Sequence, residues 1–442
     1  MAPSDRSWGI TPVPDRLRTL SLLDVGLLWG NLGVSLLVLF TGTFLAGLGL
    51  KRALLATVVG AVLGTALLGL AGLIGFERRV PGMVLMRDPL GHRGSYAPTG
   101  LNVAQNLGWA VFELYVMSLA ASALTDQLFG FEARWAWVLL FGALTAWLAL
   151  AGPISVVRRY VRRFAVWAVA ASLGYLVWWA LNGADAGGLW SAPGEGGITF
   201  WQGVDLTVAM AASWLPLAAD YTRFSRSRRA AFWGTSVGYF VPLVLLYGLG
   251  VLLALSRGLA EPSAIFTAIA AGGAASAFAL LALTVDESDE PFANVYSAAV
   301  SLQNLVPWAP QRLLVVLVAG AATLGAGVVD ILAYETFLLL LGSFFVPLFG
   351  VLAADFLLGV GRPADVRWSG IVAWAAGFAL FQWIHPIGPG WWVDQVARIP
   401  GAGDATIGAS LPAFALAFAL YAGVRSAHAP LGRRRARLAG SR

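Results

Sequence analysis

An all-α polytopic membrane protein of twelve transmembrane helices is the fold class this sequence predicts, and three observations carry that expectation. Hydrophobic residues make up 58% of the 442 positions and charged residues only 12%, where water-soluble domains carry about 25% charged residues. The apolar residues fall into roughly a dozen blocks near twenty residues long, the length a helix needs to cross about 30 Å of hydrocarbon. Those blocks are continuous, whereas the strands of a membrane barrel alternate apolar with polar residues over about ten positions. A soluble enzyme is therefore excluded. The absence of cysteine also excludes disulfides, thiolate catalysis and cysteine metal sites.

In chain order the spans are placed at Leu22–Leu48, Ala53–Gly75, Pro98–Leu124, Arg134–Ala151, Phe164–Leu181, Phe200–Ala219, Phe232–Leu255, Gly273–Asn304, Leu313–Val329, Ile331–Leu358, Ser369–His385 and Ile407–Gly423. Residues 1–20 read as a polar tail, 21–182 as a first group of five helices, and 199–358 as a second. Residues 369–423 hold two further helices, and 424–442 form a basic tail. The stretch through Thr19 is polar and proline-rich, unlike a cleavable signal peptide, so the first span is expected to be retained.

Orientation follows from the arginines. With the N-terminus cytoplasmic, all of the 29 basic residues except Lys51, Arg52, Arg134, Arg257 and Arg398 lie on the inner side, as the positive-inside rule requires. The net charge of +6 thus reads as topology and anionic-lipid contact rather than nucleic-acid binding. Both termini are expected in the cytoplasm, with the chain in the cell membrane. The same bias bears on the acidic stretch Leu283–Ser297, LTVDESDEPFANVYS. Treating it as a loop between two short spans would invert everything downstream and erase the bias. The expectation is one long, tilted eighth helix with Asp286, Glu287, Asp289 and Glu290 at membrane depth.

A carboxylate at the centre of a span costs roughly 2.5–3.5 kcal/mol on insertion scales, so such residues mark a substrate or ion pathway. Asp286, Asp289 and Glu290 share a face by i, i+3 and i+4 spacing, extended by Asn294 and Ser297. Pro291 lacks an amide proton and is expected to leave the Glu287 carbonyl free as a cation ligand. In the third span, helical spacing puts Asn102, Gln105, Asn106, Trp109 and Glu113 on one polar stripe. Trp109 offers a flat stacking surface, and the Gln105 amide offers a donor and an acceptor in one plane, which suits the edge of a heteroaromatic ring. The first span holds Gly30, Asn31, Gly33 and Ser35, and the sixth holds Ser213, Trp214 and Pro216. Paired Gly- or Pro-interrupted spans in two halves of a transporter point to a binding site, and spans one and six correspond under a five-plus-five inverted repeat.

Weaker constellations are expected to be structural. His92, His385 and His428 are dispersed and lack metal-ligand spacing. Asp220 with Arg223 reads as a helix-end charge pair, and Arg226, Arg228 and Arg229 as inner-surface anchors. Glu113 and Glu335 read equally as proton relays or as structural hydrogen-bonding groups.

Four segments carry a family resemblance: TGTFLAGLGL (Thr41–Leu50), GLNVAQNLGW (Gly100–Trp109), ADYTRF (Ala219–Phe224) and NVYSAAVSLQN (Asn294–Asn304). Along nearly its whole length the chain resembles the nucleobase:cation symporter family of purine-cytosine permeases. TGTFLAGLG is similar to the branch that imports hydroxymethylpyrimidine and other thiamine precursors. The resemblance implies twelve helices with the LeuT-type five-plus-five inverted repeat plus two C-terminal helices. It implies Trp109 and Trp214 as ring partners, with Gln105 as reader of the ring edge. It also implies a cation site between the first-span break at Asn31, Val34 and Ser35 and the eighth span.

In that eighth span the family commonly shows hydroxyls where this chain places Asp286, Asp289 and Glu290. These carboxylates suit Na⁺, a coupling proton, or a cationic substrate. The resulting expectation is a secondary transporter that imports a small planar heteroaromatic by Na⁺ or H⁺ symport. The ligand would be held by Gln105, Trp109, Trp214, Ser213, Asn31, Asn106, Asn294 and Asp286, with no cofactor and with a monomer as the expected assembly. A transporter of thiamine or an amine is the alternative. A Mg²⁺-dependent membrane transferase is disfavoured, because a second acidic motif is missing, and a passive channel because polarity is confined to two helices.

Overall fold

The computed structural model describes residues 9–151, 166–329, 331, 334–359 and 363–427. His428, the basic tail beyond residue 427, and Arg158, Arg159, Arg162, Arg163 and Arg362 of the arginines counted on the inner side lie outside the described residues. Among the described residues the structure is helical, with an isolated bridge between Leu20 and Ser225 in place of any sheet. Seven helices among the described residues are long and apolar enough to cross a membrane, or eight if the bent pair Leu22–Asn31 and Leu36–Leu48 is one span. The other four expected spans contain shorter or interrupted helices: Val166–Leu181, Phe200–Ala212 with Ala218–Thr222, Ala274–Asp286 with Asp289–Leu305, and Trp368–Ile384.

The packing repeats itself between the two groups of five helices. Both halves of the first span lie against the seventh (Thr235–Arg257), and both halves of the sixth lie against the second (Leu50–Arg78). The third span (Tyr96–Phe129) packs on the second half of the eighth, and the fourth (Arg134–Ala151) on the ninth (Gln311–Val328). Third against ninth is mirrored by eighth against fourth. Exchanging each span for its counterpart five positions away turns first–seventh into sixth–second and third–ninth into eighth–fourth, and leaves third–eighth and fourth–ninth unchanged, as the inverted repeat requires. An apolar helix at Pro262–Ala271, which the span assignment leaves in a connection, packs against the third span and starts on a proline at its first turn, where the missing amide proton would be unpaired anyway.

The interruptions have local causes. In the first span the helix stops at Asn31, and Ser35 in extended conformation (φ −136°, ψ 143°) starts it again by accepting the Leu37 N–H at 3.1 Å. A Cβ at Gly33, inside the break, would stand 2.6 Å from the Pro242 ring. In the sixth span the turn Ser213–Leu217 contains Pro216, which cannot donate to the preceding turn. The expected continuous eighth helix is instead interrupted at Glu287–Ser288. There the ladder tightens into a short-range turn, the Glu290 N–H bonding the Glu287 carbonyl at 3.2 Å. That carbonyl, expected to be freed by Pro291, is therefore occupied.

The N-terminal segment lies across the ends of these helices. Leu20 N–H bonds the Phe224 carbonyl at 3.0 Å, and Arg226 N–H returns to the Leu20 carbonyl at 2.9 Å. Asp15 pairs with Arg18 at 3.2 Å and Arg79 at 3.0 Å, and the two guanidiniums hold its carboxyl below the usual carboxylate range. Arg223 is fully buried and anchors this region by donating to the carbonyls of Asp220 and Gly9 and to the Tyr296 hydroxyl. The Asp220 carboxylate accepts the Gly82 N–H at 2.8 Å. The expected Asp220–Arg223 side-chain pair thus does not form, because each group meets backbone from another segment.

Asp205, buried in the sixth span, plays a similar part at a distance. Its carboxylate accepts the N–H groups of Ala409 and Ser410 and so caps the start of the twelfth helix, Ser410–Ala427. Asp205→Ala leaves two buried donors unpaired, and the thermal transition of the purified protein should fall by the equivalent of about 1–3 kcal/mol. Asp205→Asn, which keeps one acceptor oxygen, should lose less. Wild-type melting of both variants would remove the capping role.

Candidate functional site

Three broken helices and one continuous helix converge through their side chains. Asn31, the last residue before the first-span break, donates its amide to Asp289 at 2.7 Å. Just past that break the Leu36 N–H donates to Glu287 at 2.7 Å and the Ser35 hydroxyl donates to the other oxygen of the same carboxylate at 2.9 Å. Glu287, which the helical spacing left off the polar face, is therefore the acid that joins the first span to the eighth. Asp286 and Asp289 stand on opposite sides of the eighth-span break, whose two residues, Glu287 and Ser288, keep right-handed helical backbone angles. Among the described residues no three His, Cys, Asp or Glu side chains converge as metal ligands.

The third span connects the other two breaks. At one end of its stripe Gln105 donates to Asn102 at 2.7 Å and to the Ser213 carbonyl in the sixth-span turn at 3.1 Å. Two turns on, both oxygens of Glu113 accept the Asn294 amide of the eighth span, at 2.8 and 3.1 Å. Asn106 and Trp109 lie between, within about 12 Å of helix at 1.5 Å per residue. Asn102 itself holds the eighth span through Ser301 at 2.8 Å.

Buried polar atoms normally have partners, so those without one delimit a place where something else binds. Along the third span these are Gln105 Oε1, both polar atoms of the Asn106 side chain and Trp109 Nε1. On the eighth span they are both oxygens of Asp286, the Ser288 hydroxyl, Asp289 Oδ1 and Glu290 Oε1. Tyr239 Oη and Trp29 Nε1 add two more from spans seven and one. The Ser213 hydroxyl, expected to read a ligand, donates its proton to the Met210 carbonyl at 2.8 Å.

The two tryptophans belong to separate aromatic groups. Trp109 lies edge-on to Tyr334 and Phe337, with centroids 5.8 and 5.6 Å away. Trp214 lies edge-on to Trp29 at 5.8 Å and meets Tyr239 at 6.2 Å. Both keep 6% exposure, in contrast to fully buried Trp29. Glu335 points to the exterior of the helix assembly, and His385 ends the eleventh span. Trp29, Tyr239, Tyr334 and the side chain of Glu287, whose carbonyl alone was expected to take part, were not foreseen as contributors. Trp29 stands two residues before Asn31 in the Gly-rich break and Glu287 inside DESDE, so both carried a signal, whereas the two tyrosines carried none.

A separate cavity of about 550 Å³ opens between the first, fifth and seventh spans. Asn31 and Val34 line it, but Asn31 is its one polar side chain, and the eighth-span carboxylates do not reach it.

Comparison with known proteins agrees with this architecture. Residues 12–367 match the model of the family described as permeases for cytosine and purines, uracil, thiamine and allantoin. The cytosine permease of Escherichia coli strain K12 is 26% identical over 406 residues, 87% of this chain and 91% of that protein. The hydantoin permease of Microbacterium maritypicum is 27% identical over 299 residues, 62% of this chain and 60% of its own length. Among solved structures, the nucleobase-cation-symport-1 family transporter Mhp1, closed with bromovinylhydantoin bound, superposes with a TM-score of 0.78 at 20% identity, covering 96% of each chain. A Na⁺-coupled sialic acid symporter gives 0.66 at 10% identity, covering 96% of this chain and 92% of its own. These are permeases and not enzymes, which sets the transferase alternative aside. The fold is thus the LeuT-like arrangement expected from the sequence, and the chain belongs to the family of membrane permeases for cytosine and purines, uracil, thiamine and allantoin.

Proposed function

We propose that the protein imports a small planar heteroaromatic, a pyrimidine-type thiamine precursor such as hydroxymethylpyrimidine or a nucleobase such as cytosine, by cation symport, with both termini cytoplasmic. The observation that carries this reading is the run of unpartnered buried atoms on the third span. Gln105 Oε1 accepts, Trp109 Nε1 donates and Asn106 does both. Glu113, oriented by Asn294, adds an acceptor for an amino group. A flat ring with mixed donors and acceptors on its edge complements that set, and Trp109 and Trp214 supply its faces. The names of the cytosine and hydantoin permeases support the same ring class.

Cation coupling is supported by the eighth-span carboxylates beside the first-span break, with Asn31, Val34, Ser35, Asp286, Asp289 and Glu290 as the proposed cation neighbourhood and Na⁺ or H⁺ as the ion. A cationic substrate, thiamine or an amine, is the second reading, favoured by the unpartnered oxygens of Asp286, Asp289 and Glu290.

Uptake of radiolabelled hydroxymethylpyrimidine into proteoliposomes, under an imposed Na⁺ or pH gradient, tests the proposal. Accumulation under one gradient, blocked by cytosine and not by thiamine, is the expected result. Competition by thiamine alone would move the assignment to the cationic reading, and no accumulation under either gradient would remove the pyrimidine.

Trp109→Ala should weaken uptake of all ring ligands about tenfold, from lost stacking and burial together. Gln105→Ala should preferentially relax discrimination between rings of different edge pattern. An equal loss for every ligand in the Gln105 variant would contradict the edge-reading role.

A further inference from the structure

We infer that Glu287 is a specificity-determining residue: its carboxylate fills the N-terminus of the half-helix after the first-span break and thereby confines the site to ligands without a negative charge. This rests on the transport reading above, and deepens it by naming a class of ligand that is refused.

A helix start exposes N–H groups that no preceding turn satisfies, and together with the peptide dipoles they attract anions. In transporters built on interrupted helices, such half-helix N-termini point at anionic groups of the substrate. The half-helix Leu36–Thr43 has that potential, but its own chain has used it. Glu287 takes the Leu36 N–H, Ser35 Oγ takes the Leu37 N–H, and the proton of the Ser35 hydroxyl is directed at Glu287 as well. Glu287 has no exposed surface and arrives from the eighth span, so a tertiary contact holds it there.

This half-helix borders the candidate ligand region. The half-helix packs against the third span, and its Thr41 hydroxyl meets the Tyr334 hydroxyl at 3.0 Å. The Tyr334 ring in turn lies edge-on to Trp109. The charged groups around Glu287 are Asp286, Asp289 and Glu290 on its own span and Glu113 on the third, all buried and all acidic. The buried Arg223 is committed to Gly9, Asp220 and Tyr296 and offers no counter-charge here. A ligand carboxylate would have to displace Glu287 from the two donors and then share its surroundings with four acids.

Removing the side chain should reopen the anion position. In E287A the melting temperature should fall, and formate should raise it again where chloride at equal ionic strength does not. Wild type and E287Q, whose amide oxygen still meets the Leu36 N–H, should not respond to formate. In competition against the neutral ring that wild type accumulates, the pyrimidine carboxylate orotate should act about tenfold more strongly on E287A than on wild type. It should gain less on E287Q, which loses only the charge.

Folded E287A that answers neither formate nor orotate would overturn the inference, as would wild type accepting orotate as readily as the neutral ring. If E287A does not fold, E287Q decides, and orotate rejection unchanged from wild type overturns it. Absence of ring uptake by wild type would count against the transport reading, while the formate response still reports on Glu287 by itself.

Discussion

A helix that stops and restarts inside a bilayer exposes backbone donors and acceptors where no water reaches them, and each one left unpaired costs several kcal/mol. The architecture of this protein depends on how three such interruptions are closed. At the first-span break the restart is closed by a neighbouring hydroxyl and a carboxylate from another span, Ser35 and Glu287. At the eighth-span break it is closed within the chain, by the short turn from Glu290 to Glu287. In the sixth span the turn bonds itself, from Ala218 N–H to the Trp214 carbonyl at 2.9 Å, and hands the Ser213 carbonyl to Gln105 of the third span.

Closing the breaks divides the polar residues at membrane depth into two sets. Glu287, Asp205, Asp220 and Arg223 meet backbone groups of other segments and fix where those segments sit. Gln105, Asn106, Trp109, Asp286, Asp289 and Glu290 each keep at least one buried polar atom with no protein partner. The second set gathers its unpartnered atoms on the third and eighth spans, whereas the first set keeps one such atom, Asp220 Oδ2. Burial alone does not separate the sets, because both are nearly inaccessible. The identity of the hydrogen-bond partner does.

That division explains what the sequence made legible. Helix type and span positions follow from the length and continuity of apolar blocks, which no tertiary contact alters. The breaks in spans one and six are written locally, in Gly33 with Ser35 and in Pro216. The polar stripe of the third span is legible because that helix is uninterrupted, so i, i+3 and i+4 spacing holds along it. In the eighth span a two-residue turn interrupts the helix at Glu287–Ser288, and spacing along that helix gave no sign that Glu287 would reach across to Ser35 and Leu36 of the first span. Asp205 and Asp220 could not be read as caps, because Ala409 and Gly82 are far away in the chain. Tyr334 and Tyr239 were two of ten tyrosines until the fold gave them neighbours.

The broken spans are held on their two sides by different forces. Toward spans two and seven they approach at backbone distance: a Cβ at Gly42 would stand 2.3 Å from the Tyr247 carbonyl, and one at Gly75 would stand 2.6 Å from the Ala219 Cα. Such contacts are dispersion packing that tolerates almost no relative displacement. Toward spans three and eight the same helices are also joined by side-chain hydrogen bonds, among them Asn31 to Asp289 and Gln105 to Ser213. Hydrogen bonds can be exchanged for bonds to a ligand at little net cost, whereas interlocked glycine contacts cannot. The polar seam is therefore where a bound ring or ion can alter how the helices are held without unpacking them. It is also the seam along which the unpartnered atoms collect.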